Sequence, residues 1–68
     1  MGWIIIRRKQ DRFQLYMDKN ETPPAGEWRD SGNGLPMVFD AWWRALHQMY
    51  KLEGTDREWE YEVEEYLR

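Results

Sequence analysis

The chain has 68 residues, no cysteine, one histidine and a net charge of −3, which limits it to one small domain, residues 1–68, and excludes disulfides and thiolate metal sites. A domain of this size buries only about 60% of the surface its unfolded chain exposes, so its stability must lean on 5 Trp, 4 Tyr and 2 Phe, rings that bury about 150–250 Å² each. Charge is uneven: residues 1–20 carry five basic and two acidic side chains and residues 53–68 two basic and seven acidic, which fits either two strands pairing side by side or an acidic surface for a basic partner.

The first element is Trp3-Ile4-Ile5-Ile6, β-branched and apolar on both faces, as an interior strand is. It is far too short for a signal-peptide core or a membrane span. Ile6 also stands where a myristoylation signal following Gly2 carries Ser or Thr. A soluble, cytoplasmic, unanchored protein is the expectation, in the host cytoplasm if the chain is phage-encoded. Lys9-Gln10-Asp11-Arg12 supplies a polar turn, after which Phe13, Leu15 and Met17 alternate with Gln14, Tyr16 and Asp18. That period of two predicts a second strand with the Phe13 set on its buried face, completing a hairpin.

Residues 18–36 read as a long loop, marked by Asn20, Pro23-Pro24, Gly26, Ser31-Gly32-Asn33-Gly34 and Pro36. Trp28 interrupts it, either pinning the loop to the core or offering a ring to a partner. Met37-Val38-Phe39 is a short apolar run suited to a third strand, and Asp40 is a good N-cap residue. A helix over about residues 41–53 follows. Trp42, Ala45, Leu46, Met49 and Leu52 recur at the spacing of one buried stripe, with Lys51 and Gly54 ending it. The alternative is a longer helix beginning at Pro36. Trp43, His47 and Tyr50 form a neighbouring stripe that either widens the core or remains at its margin, partly exposed.

The segment 57–67 carries two patterns. Trp59, Val63, Tyr66 and Leu67 fit a helix opened by the capping-box sequence Thr55-Asp56-Arg57-Glu58. Trp59, Tyr61 and Val63 also alternate strictly with Glu58, Glu60, Glu62 and Glu64, and only a strand places Tyr61 with the other rings. We therefore expect a strand beside the first one, close enough for Arg7, Arg8, Lys9 or Arg12 to offset the glutamates. The resulting fold class is α+β: a small antiparallel sheet of an N-terminal hairpin, a short third strand and a C-terminal strand, packed on one helix. The order Trp3–Ile6, Phe13–Tyr16, Val38-Phe39-Asp40, Ala45 and Tyr61–Val63 resembles very small phage-encoded β-β-β-α-β accessory proteins. The resemblance implies a protein that acts by binding a host or viral component, and it carries over no catalytic residue.

Nucleophilic catalysis needs an activated Ser, Thr or Cys beside a base. Here Ser31 is the one serine and His47 the one histidine. Ser31-Gly32-Asn33-Gly34 lacks the Lys and the spacing of a phosphate loop. Alternating glutamates lie in a line rather than converging on a metal. The expectation is a non-enzymatic binding module or inhibitor without cofactor or metal. Trp43, His47, Tyr50 and Trp28 are its candidate anchors. Glu58, Glu60, Glu62, Glu64 and Glu65 are acidic contacts for a host or viral protein with a basic surface, such as nucleic-acid-handling machinery blocked in an anti-CRISPR-like manner. Direct nucleic-acid binding through Arg7, Arg8, Lys9 and Arg12, with Trp3, Phe13 or Tyr16 stacking on bases, is disfavoured by the net negative charge. A homodimer burying the Trp43 stripe is a further alternative to a monomer. No membrane partner is expected.

Overall fold

A computed structural model of the chain describes residues 2–18, 26–30 and 35–67. These form strands β1 (Gly2–Lys9), β2 (Arg12–Asp18) and β3 (Gly26–Arg29), helix α1 (Trp42–Thr55) and strand β4 (Glu60–Tyr66). The antiparallel sheet has the order β3-β2-β1-β4. The fold is the expected α+β architecture, with the tail as a strand beside a central β1. Two strands pair through the two-residue connection Gln10-Asp11, where Gln10 takes the left-handed conformation with φ 55°.

Cross-strand register decides which side chains meet the helix. Ile5 lies opposite Val63, Arg7 opposite both Tyr61 and Gln14, and Tyr16 opposite Trp28, so these project from one sheet face. The helix packs there. Ile5, Tyr16, Ala45 and Met49 form the buried cluster, with Trp28, Tyr61, Val63, Leu46 and Leu52 against it. Tyr16 and Gln14 of β2 point to the helix rather than the Phe13 set expected on its buried face; on the other side Met17 is buried, Leu15 half-buried and Phe13 exposed. Gln14 tolerates burial because it accepts from Arg7 Nε at 2.7 Å and donates to Asp30 Oδ1 at 2.9 Å. Ile4, Ile6 and Met17 are buried on the opposite face, which is why β1 reads as apolar on both sides.

The third strand is not where the sequence suggested. Gly26–Arg29, inside the expected loop 18–36, pairs with β2, while residues 36–39 make two isolated bridges, Met17 to Pro36 and Trp3 to Phe39. Pairing between β1 and β2 stops at Ile6 and Leu15, and the 36–39 segment fills the gap that opens beyond. Trp3 and Phe39 exchange backbone bonds of 3.0 and 2.8 Å, and Met37 donates to the Tyr16 carbonyl at 2.9 Å. Two bonds to β1 and one to β2 make isolated bridges, too short to count as a strand. Residues 19–25 and 31–34 of the expected loop lie outside the described residues.

Both expected helix caps are replaced. Ala41 precedes the helix without a side-chain cap, because the Asp40 carboxylate faces Arg44 Nε at 3.4 Å. At the other end the helix continues through Gly54. Thr55 Oγ1 and the Asp56 amide both donate to the Leu52 carbonyl, at 2.7 and 3.3 Å. Gly54 is exposed, and a Cβ there meets nothing within 4 Å. A helical glycine costs about 0.5–1 kcal/mol relative to alanine, so Gly54→Ala is expected to raise the thermal midpoint by a few degrees in a calorimetric scan.

Candidate functional site

The helix presents its two stripes to different surroundings. Ala45 and Met49 are buried in the sheet-facing cluster. Trp43, His47 and Tyr50, three and four residues apart, face away from it, with Trp43 60% and Tyr50 58% exposed and His47 also exposed. Trp42, expected in the core stripe, is 50% exposed instead. The helix sits on one sheet face, so only one side of it can be covered. The Trp43 stripe is therefore surface rather than core. Arg44 lies 5.0 Å from the Trp43 ring centroid, its guanidinium shared between that ring and Asp40. Gly54 prolongs the stripe by one turn and floors a shallow depression bounded by Tyr50, Glu53, Arg57 and Trp59.

Trp28 does not join this surface. It packs on the inner face of the helix–sheet sandwich, 5.0 Å from the Tyr16 ring and 5.8 Å from that of Tyr61. The Arg7 guanidinium stands 4.2 Å from its centroid and 4.1 Å from that of Trp59, held between the two indoles. Arg7 also reaches Gln14 and lies 3.7 Å from Asp56 Oδ2, and its side chain is only 12% exposed. Trp59, just ahead of β4, is buried, and Arg12 and Lys9 approach the same ring at 5.2 and 5.8 Å. Two indole faces attract one cation without competing for its hydrogen bonds. The cluster lies beside the C-terminal end of the helix, whose cap Asp56 meets Arg7. Nothing in the sequence alone marked Arg7 as more than a surface charge.

The acidic residues lie elsewhere again. Register puts Glu60, Glu62 and Glu64 on the sheet face opposite the helix, with Arg8, Ile6 and Ile4 beside them on β1. Arg8 pairs with Glu62 at 2.5 Å and Lys9 with Glu58 at 2.6 Å. Glu60, Glu64 and Glu65 are exposed and have no ion pair among the described residues. Glu65 projects toward the helix side, opposite Trp3. The aromatic stripe and the Glu60–Glu64 line thus occupy opposite sides of the molecule, and the glutamates do not surround the rings.

The basic hairpin is largely spent internally. Arg7, Arg8 and Lys9 pair with Asp56, Glu62 and Glu58, and Arg12 reaches Asp30 at 3.3 Å. Hydrogen bonds from Gln14 and then Arg12 hold the exposed Asp30 carboxyl below its ordinary pKa. Tyr16 is buried and unable to stack on a base. Among the described residues no group of three His, Asp or Glu side chains could hold a metal, and no helix is long and apolar enough to cross a membrane. No known protein family, curated protein or solved structure matches this chain.

Proposed function

We propose that the chain is a non-enzymatic protein-binding module whose anchor is the outer stripe of α1, Trp43, His47 and Tyr50. The observation that carries this reading is the exposure of three large rings, Trp42, Trp43 and Tyr50, by half or more on a helix whose other side supplies the core. Contiguous exposed aromatic surface marks interaction sites, and buried Trp and Tyr anchors dominate binding energy where they occur. The acidic face on β4 acts separately. Exposed charges reach about 8–10 Å before salt screens them, so Glu60, Glu62 and Glu64 favour approach of a basic protein rather than seal the aromatic contact. Nucleic-acid-handling proteins carry such basic surfaces. An accessory inhibitor of the phage or anti-CRISPR-like kind fits the combination. Because the two surfaces face apart, a partner engaging both must wrap the β4 edge.

The test is capture of binding proteins from host lysate by the wild-type chain and by Trp43→Ala/Tyr50→Ala. At least tenfold weaker capture by the double variant is expected, the loss of two anchors at roughly 1 kcal/mol or more each. Equal capture would remove the stripe from the interface.

A further inference from the structure

β4 is an edge strand: β1 occupies one side, and the sheet order ends there. Its seven residues pair with β1 without interruption from Gly2 and Tyr66 to Arg8 and Glu60. No bulge twists the edge away. Among the described residues none pairs with the alternate backbone N–H and C=O groups along its outer side, a ready template for another strand.

The side chains say what such a strand must carry. Glu60, Glu62 and Glu64 follow one another on the helix-free face at the two-residue repeat, about 6.8 Å apart. Across β1 they meet Arg8, Ile6 and Ile4, and the single cation, Arg8, is engaged with Glu62. Glu60, although opposite Arg8, and Glu64 make no ion pair among the described residues. On the helix side the same strand offers Tyr61 and Val63, both partly buried against the core, so the apolar layer runs out to the edge. A complementary fifth strand alternates basic residues on one face with apolar residues on the other.

A second copy of this chain does not meet that description. Antiparallel pairing of β4 with itself keeps each side chain on its own sheet face, so every register sets glutamate opposite glutamate, which is destabilising. Nucleic acid is repelled by the same charges.

We propose that the outer edge of β4 receives an extended basic segment of a partner protein, added as a fifth strand with Lys or Arg at alternate positions opposite Glu60, Glu62 and Glu64. Backbone hydrogen bonds supply the attachment and the alternating charge fixes face and register. This deepens the proposed function, resting on its reading of β4 as the side that meets a basic protein, and it uses none of the helix stripe.

The experiment titrates the full chain with a capped peptide of alternating Lys and Val. A peptide of the same composition with its lysines contiguous serves as control, and both titrations are read by backbone amide hydrogen exchange and NMR shifts. The alternating peptide is expected to slow exchange along β4 and to bind about tenfold more tightly than the control. Glu60→Gln/Glu64→Gln, which removes charge from two exposed positions, is expected to lose about tenfold of that affinity while melting as wild type does. Trp43→Ala/Tyr50→Ala is expected to bind the peptide unchanged. Equal binding of both peptides, or shifts without protection of β4, overturns strand addition in favour of loose charge attraction. Absence of any binding overturns it as well and leaves the glutamates as guards against edge-to-edge pairing. Neither result touches the helix stripe, whose own capture assay stands or falls separately.

Discussion

Replacing Arg7 with Met is expected to lower the thermal midpoint by about 12–24 °C, the shift that a loss of about 3 kcal/mol produces in a domain of this size. Met keeps most of the stem and removes the guanidinium. Lost with it are contacts to the Trp28 and Trp59 faces at 4.2 and 4.1 Å, of a kind worth about 2 kcal/mol when desolvated. The bond to Gln14 also goes, leaving a buried carbonyl oxygen without its donor and adding about 1–3 kcal/mol. The thioether recovers part of this by burial. The adjacent Arg8 is the control: its side chain is 50% exposed in a surface ion pair, a kind that contributes at most about 1 kcal/mol. Arg8→Met should therefore shift the midpoint far less. Thermal melts of both variants decide the matter, and similar midpoints would mean that the indole clamp adds nothing to a surface charge.

Trp28→Ala is expected to leave the chain largely unfolded at room temperature. Truncating a packed Trp costs about 3–5 kcal/mol, and a core of this size supplies only about 3–5 kcal/mol in total. Trp28 joins β3 to the core through Tyr16, Tyr61 and Arg7, so its loss also frees an edge strand of only four residues. Far-UV circular dichroism with a urea titration reads this directly. A native spectrum with an unchanged midpoint would return Trp28 to the surface, as one of the two readings of its loop position allowed.

Trp28 and Trp43 differ in how far the sequence alone discloses their surroundings. Periodicity found β1, β2, the helix and β4, because each is long enough for its repeat to be read. Strict alternation chose strand over helix for the tail by the position of Tyr61, which does pack against the core. Alternation could not assign the faces of β2. Phe13 looks more buried than Gln14 until Arg7 and Asp30 are seen to bond that amide, and Met17 is buried on the other face. β3 was missed because Gly26–Arg29 has four residues with one large ring, too few for any period to show. The caps failed for a related reason: Asp40 and Gly54 are good caps in isolation, but Arg44 draws the first away and Thr55 extends the helix past the second. At the candidate site, the sequence placed Trp43, His47 and Tyr50 on one stripe correctly. It grouped them with Trp28 and the glutamates, which a linear chain cannot separate and a two-sided sheet does.

The outer stripe of α1, on this reading, serves contact and contributes little to folding. The most direct measurement follows thermal melting and partner capture on one preparation of Trp43→Ala/Tyr50→Ala beside wild type. Surface substitutions stay within about 0.5 kcal/mol each, so a midpoint within a few degrees of wild type is expected together with at least tenfold weaker capture. A midpoint lowered by 10 °C or more, or capture at the wild-type level, would contradict it.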